Sequence, residues 1–442
     1  MSARATQTAR ALLPGVNLSA VGPRQIGRIK AHEGLLMEAA GFPVPVGTGV
    51  FIANANGTKT RGEVVGFRDS TALILPFSND SIFAAGGRVE RAGDTQSVLC
   101  GPALLGRVID ANGMPLDGRP AITSGMKWPL AGSQDNPLNR GRITQPFDTG
   151  IIAINALLSV GRGQRLAIVA GSGVGKSVLM GEMLSGAQCD ICVVALVGER
   201  SREVSDFVET KLANAKAKTI VVAVPADHPP LLRLRAAMRA TAIAESFRSA
   251  GKDVLLMIDS LTRVAHAQRE IGLALGEPPT MKGYPPSALG IIPRIVERAG
   301  VDRASGGSIT GLYTVLADGG DLEDPVVDSA RAITDGHIIL SRQMAEQGVY
   351  PAIDIAKSLS RTMADIVDEE HLAAAAHFRR LTSAYEENQD LLMMGAYSPG
   401  SDPALDSAIE QRPAMLEFLK QKPGDHVPFD AARSALITGQ PI

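Results

Sequence analysis

The chain has 442 residues, 45% of them hydrophobic and 20% charged, with a formal net charge of −2. That length suggests two or three domains, and the near-neutral balance excludes a general electrostatic pull toward nucleic acid or anionic lipid. No apolar run approaches the roughly 18–20 residues of a membrane-spanning helix, and three cysteines (Cys100, Cys189, Cys192) argue for a reducing compartment, by default the cytoplasm.

Residues 1–32 carry Arg4, Arg10, Arg24, Arg28 and Lys30 but no acid. Met1–Asn17 lacks the long apolar core of a secretory signal. Ala3–Leu13 can gather Ala5, Ala9, Leu12 and Leu13 on one helical side before Pro14-Gly15 ends it. The arm, taken as residues 1–22, is therefore either solvated or a helix that docks a partner. From 23 to 98 the period is two. Short stretches at Gly49–Ile52, Glu63–Gly66, Ala72–Leu75 and Val89–Arg91, separated by turn residues, predict a small β-barrel or sandwich. Pro115–Thr149, rich in Pro and Gly, reads as a long connector.

A different pattern starts at Arg165. Leu166–Val169, Cys192–Val197, Thr219–Val224, Val254–Ile258, Ile309–Leu316 and His337–Leu340 are apolar runs of strand length. Helical stretches separate them, among them Lys176–Ser185, Arg202–Leu212 and Pro230–Ser249. That alternation predicts a parallel sheet with crossover helices, an α/β domain placed at 99–366. After Arg361 the strands stop. Helices at Leu372–Asn388 and Pro403–Lys420, the second opened by Asp402 and Pro403, give a helical domain at 367–442.

The chemistry centres on Ala170-Gly-Ser-Gly-Val-Gly-Lys-Ser177, a phosphate-binding loop between a strand and a helix. Gly171, Gly173 and Gly175 let successive backbone N–H groups face phosphate oxygens. Lys176 would reach the β and γ phosphates, and Ser177 would offer a hydroxyl to Mg²⁺. Ala170 stands where the strict pattern has Gly, a position that needs only a small residue. Asp259 ends the apolar strand Val254–Ile258, the usual place for an acid that holds Mg²⁺. Glu199, just past Cys192–Val197, is the candidate to orient or activate water. Arg200 is a candidate to neutralise γ-phosphate charge. Glu199, Arg200, Arg202 and Glu203 taken alone read equally well as a surface ion-pair cluster.

The blocks Gly198-Glu-Arg-Ser-Arg-Glu-Val204, Asp259-Ser-Leu-Thr-Arg263, Gly276-Glu-Pro-Pro-Thr280, Gly283-Tyr-Pro-Pro-Ser287 and Tyr350-Pro-Ala-Ile-Asp354 resemble the type III export ATPases, relatives of the catalytic subunit of rotary ATP synthases. Asp324–His337 and Gly395–Asp402 look most like the flagellar branch. The resemblance covers about residues 27–419. It implies a β-barrel, a RecA-like α/β ATPase domain and a helical domain, with ATP and Mg²⁺ as cofactors. It also implies roles. Glu199 is the catalytic carboxylate, Asp259 and Ser177 serve the metal, and Arg200 and Arg263 lie near the γ-phosphate. Gly171, Ser172, Gly173, Val174, Gly175, Lys176, Ser177 and Val178 surround the phosphates, and Tyr350 stacks on adenine. Arg361 is an arginine finger for the neighbouring subunit. One chain carrying both Glu199 and Arg361 favours a ring of identical subunits, six by family expectation.

The implied partners are a stator-like protein on the N-terminal arm, a central stalk protein, membrane proteins of the export gate, and export chaperones with their substrates. No nucleic acid is expected, and the implied place is the inner face of the cytoplasmic membrane. Two blocks depart from the family pattern. Ser201 replaces a Gly or Thr, and Ala288–Pro293 is less bulky than its counterpart, in what reads as a loop facing the ring's centre. Cys189-Asp-Ile-Cys192 reads as packing. His371 and His377 do not share a helix face. Arg233, Arg235 and Arg239 read as a subunit contact or a solvated face.

Overall fold

The computed structural model describes residues 25–439 except 134–135, 172, 213–214 and 318–320. The arm at 1–22, with the helix considered for Ala3–Leu13, lies outside the described residues. The chain divides into two units between Gln96 and Ser97.

In the first unit, six strands form a closed barrel in the order β1-β2-β5-β4-β3-β6. They are β1 (Ile26–Glu33), β2 (Leu36–Ala40), β3 (Gly49–Ala53), β4 (Lys59–Arg68), β5 (Thr71–Pro76) and β6 (Arg88–Arg91). Period-two patterning sends Ile29, Met37, Val50, Ile52, Val64 and Ile74 inward as one apolar cluster. Register shifts at Ile29/Ala31 and Val64/Gly66 mark bulges, which bend strands enough to close. Of barrel and sandwich, the chain forms the barrel, which leaves no unpaired edge.

The second unit opens with β7 (Ser97–Cys100), β8 (Val108–Ile109), β9 (Met126–Pro129) and α1 (Ile152–Leu157). The strand–helix alternation follows: β10 (Arg165–Ala170), α2 (Lys176–Gly186), β11 (Ile191–Val197), α3 (Ser201–Asp206), β12 (Thr219–Val224), α4 (Pro230–Ser249), β13 (Asp253–Asp259) and α5 (Leu261–Ala274). Next come α6 (Pro286–Val296), β14 (Gly300–Val301), β15 (Ser308–Leu316), α7 (Pro325–Ile333), β16 (Gly336–Leu340), α8 (Arg342–Glu346), β17 (Ile353–Ser360) and α9 (Met363–Ile366). The chain closes with α10 (Glu369–Glu387), α11 (Gln389–Met393), α12 (Pro403–Leu419) and α13 (Phe429–Thr438).

The main sheet runs β17-β16-β10-β15-β13-β11-β12-β8, with β14 attached antiparallel to β15. Every pair from β16 to β8 is parallel. Both faces of β11, β12 and β13 are buried, which is why their sequences are unbroken apolar runs. β17 is antiparallel to β16 and was not singled out in the sequence, because Asp354, Lys357 and its serines interrupt the apolar pattern.

Other expectations change as well. The stretch Pro115–Thr149 is not connector throughout, since β9 within it pairs with β7. Trp128 Nε1 there donates to Glu245 at 3.0 Å. Ala288–Pro293 is helical, inside α6, because Pro285 and Pro286 start a helix well and Ile291, Ile292 and Ile295 form a buried face. Arg202–Leu212 is helical as expected, but only to Asp206 as an α-helix; it continues as a π-helical turn, Phe207–Lys211. The arginines of α4 are not a solvated face: Arg233, Arg235 and Arg239 are buried. Their long stems pack while their heads find acceptors, Arg233 on Glu270 at 2.6 Å and Arg239 on the Ala111 carbonyl at 2.7 Å.

The helix opened by Asp402 and Pro403 begins as read, whereas the one expected from Leu372 begins at Glu369. Asp402 accepts from Ala404 and Leu405 N–H, with Pro403 next, and Asp368 likewise caps α10. His371 is buried and its Nε2 meets the Ala156 carbonyl at 2.7 Å, tying α10 to α1. Cys189 and Cys192 place their Sγ atoms 3.5 Å apart as free thiols. Among the described residues no helix is long and apolar enough to cross a membrane.

Candidate active site

β10 ends at Ala170 and α2 begins at Lys176, so the glycine-rich loop joins the carboxyl end of a central strand to a helix N-terminus. Gly173 and Gly175 take φ of 78° and 90°, where a side chain would be strained. At Gly175 a Cβ would also come within 3.5 Å of the Tyr350 ring. The free N–H groups of the first turn of α2 make the end of this loop an anion site. Val174 is buried, whereas Val178 is exposed on α2. Ser172 lies outside the described residues.

The parallel register of β11 and β13, with Leu196 opposite Asp259, brings Glu199 and Asp259 to the same rim as this loop. Lys176 Nζ lies 2.5 Å from Asp259 Oδ1 and 3.4 Å from Glu199 Oε1. Thr314, from β15, donates its hydroxyl to the same Asp259 oxygen at 2.6 Å. Burial pushes the Glu199 carboxyl up to about 7; Lys176 opposes this, and the neighbouring Asp259 and Glu203 carboxylates add to it. Burial works against the Lys176 cation, but Asp259 and Glu199 outweigh it and raise its pKa. A lysine between two acids, one of them titrating near neutrality, is a site prepared to exchange charge with an incoming anion.

Glu199 and Asp259 border a cleft of about 370 Å³ that is also lined by Ser177, Arg200, Arg202 and Phe207, among others. Arg200 is largely exposed there and pairs with Glu203 at 3.6 Å. Arg263 does not line the cleft. Its stem packs over Gly198, where a Cβ would approach it within 3.0 Å, and its buried Nε has no hydrogen-bond partner among the described residues. The Ser177 hydroxyl and the Asp259 carboxylate are hard oxygen donors at one cleft, a set that suits Mg²⁺ completed by phosphate oxygens and water. Among the described residues no three His, Cys, Asp or Glu side chains cluster as an all-protein metal site.

Thr314 was missed from sequence. Its one signal is a hydroxyl in the middle of an apolar strand. Phe207 and Lys211 of the π-turn also escaped notice.

Tyr350 and Arg361 flank β17 and fall at opposite rims. Ile353 pairs with Leu340, beside the end of β10, so Tyr350 stands at the phosphate-loop rim, half exposed. Ser360 pairs with Gly336, and Arg361 N–H meets the Asp335 carbonyl at 2.9 Å while Asp335 N–H meets that of Arg165, where β10 begins. The exposed Arg361 is thus separated from its own phosphate loop by the length of β10, about 17 Å at a strand's rise per residue. An arginine side chain does not span that distance.

Residues 150–360 match the ATP synthase alpha/beta family, nucleotide-binding domain, and residues 367–438 match the T3SS EscN ATPase C-terminal domain. The chain is 48% identical to the flagellum-specific ATP synthase of Salmonella typhimurium over 422 residues, covering 93% of this chain and 91% of that one. The structure of the assembled ATPase EscN from the enteropathogenic E. coli type III secretion system superposes with a TM-score of 0.87 at 40% identity, covering 93% of this chain and 99% of that one. EscN in complex with its central stalk EscO gives 0.84 at 39%, with the same coverage. The chain therefore belongs to the ATP synthase alpha/beta family, in the branch of the flagellum-specific and type III secretion ATPases.

Proposed function

We propose that this ATP hydrolase couples nucleotide turnover to type III protein export for flagellar assembly, releasing chaperones and delivering substrates to the export gate. The observation that carries the catalytic reading is the Lys176–Asp259–Glu199 constellation at the mouth of the phosphate loop. The loop amides of 171–177 and Lys176 hold the triphosphate, which competes with Asp259 and Glu199 for the lysine. Ser177 and Asp259, the latter fixed by Thr314, hold Mg²⁺. Bound there, the ion would neutralise charge on the β and γ phosphates. Glu199 orients water toward the γ-phosphate and accepts its proton. Arg200 counters charge at the cleft, Arg263 packs against Gly198 behind it, and Tyr350 stacks on adenine.

Arg361 acts in trans. Its place at the far rim, away from its own loop, supports a ring in which each chain completes its neighbour's site. Six subunits follow from the family. The solved relative EscN binds a central stalk, EscO, and we extend a central stalk partner to this chain. A stator-like protein on the arm at 1–22, the export gate, and a cytoplasmic position at the inner membrane face complete the reading. In this proposal the barrel domain spans 23–98, the ATPase domain 99–366 and the helical domain 367–442.

The test is chromosomal replacement with Lys176→Ala in the source bacterium. The expected result is loss of flagellar filaments and motility together with ATPase activity. Normal motility would overturn the flagellar assignment, and loss of effector secretion instead would place the chain in an injectisome, the system of EscN.

A further inference from the structure

The segment between α12 and α13 crosses the nucleotide-site side of the second unit and is tied down at Gln421. Its backbone N–H donates to the Tyr350 carbonyl at 2.8 Å. Its side-chain amide is bonded at both ends: Oε1 accepts from Ile152 N–H at 2.8 Å, and Nε2 donates to the carbonyls of Gly150 at 2.8 Å and Asp425 at 2.5 Å. The partners fix the amide's orientation, since an N–H needs the oxygen and two carbonyls need the nitrogen. Three further bonds hold the same segment: Gly424 N–H to Glu182 on α2 at 2.8 Å, Val427 N–H to Gly150 at 3.0 Å, and Asn155 Nδ2 to the Val427 carbonyl at 3.0 Å.

We infer that Gln421 is the positioning residue for Tyr350, and that 420–427 is a strap through which the C-terminal helices set where the nucleotide base is held. The inference rests on the reading of Tyr350 as the adenine-stacking residue. The side chain of Gln421 does not touch the nucleotide site. It clamps the strap to the Gly150–Ile152 turn, and the clamped strap offers its N–H to Tyr350. The Tyr350 ring in turn lies against Gly175 of the phosphate loop. Movement of α12 or α13 therefore reaches Tyr350 through the Gln421 N–H. The strap's bond to Glu182 joins the same movement to the helix that carries Lys176 and Ser177.

The full-length chain is tested by steady-state ATP hydrolysis for Gln421→Ala, Tyr350→Ala and the double variant, with thermal melting as a check on folding. Loss of base positioning should raise KM for ATP about three- to tenfold at nearly unchanged kcat in each single variant. The double variant should match Tyr350→Ala, because one residue acts through the other. Gln421→Glu keeps the acceptor for Ile152 but turns an oxygen against both carbonyls, so a KM at least as high as that of Gln421→Ala is expected even if the alanine variant folds poorly. A raised KM for Tyr350→Ala with an unchanged KM for both Gln421 variants would overturn the inference, as would multiplicative effects in the double variant. An unchanged KM for Tyr350→Ala would overturn the stacking reading itself.

Discussion

Placing Arg361 and the phosphate loop on opposite rims demands complementation between two inactive chains. Arg361→Ala keeps Lys176, Glu199 and Asp259 but offers no finger. Lys176→Ala keeps the finger but has no working site. Each alone should lose most turnover, with roughly a 10³–10⁵-fold loss for a missing finger. The separation of about 17 Å along β10 prevents rescue within one chain. In an equimolar co-assembled ring, about one interface in four joins an intact site to an intact finger. The two chains are co-expressed with different tags, purified through both, and assayed for phosphate release above the assembly concentration. Activity near a quarter of wild type is expected. Activity no higher than the mean of the separate variants would refute the trans assignment, because an arginine acting in its own chain leaves every subunit of the mixture defective.

With Glu199 pushed up to about 7, the free enzyme holds it mostly as the neutral acid below that pH, and only the carboxylate can accept a proton from water. kcat/KM for ATP should therefore rise about tenfold per pH unit below pH 7 and level off above it. Glu199→Gln should remove that limb and lower kcat roughly 10²–10⁴-fold while nucleotide still binds, and a persisting limb would move the base elsewhere. Away from the site, Arg298 holds the buried Glu245 by two bonds of 2.8 Å. Arg298→Ala leaves that buried carboxylate without its cation, with the Trp128 N–H still donating to it, and should cost about 3–5 kcal/mol in denaturant unfolding. A loss under about 1 kcal/mol would contradict a buried, mutually dependent pair.

The phosphate loop was legible because its conformation is local: glycines at positive φ, followed at once by a helix. The interior strands were legible because burial on both faces requires unbroken apolar runs, and the cap at Asp402 is likewise local. Pro115–Thr149 misled because β9 is held by pairing with β7 and by Trp128 on Glu245, neither of which leaves a periodicity of its own. The α4 arginines misled because residue type favours solvent, whereas distant acceptors decide burial.

By itself the sequence determined the chemistry at one end of the sheet: a loop for phosphates, an acid after each of two strands, and a hydroxyl for a metal. Only the tertiary structure decided that Lys176, Glu199, Asp259 and Thr314 meet at one point, since three parallel strands must register for them to do so. It also decided which rim Tyr350 and Arg361 each reach. The strand between them runs antiparallel to its neighbour, so its start, with Tyr350, lies at the phosphate-loop rim and its end, with Arg361, at the other. Strand direction is set by hydrogen bonds to other parts of the chain, and local patterning carries no record of it.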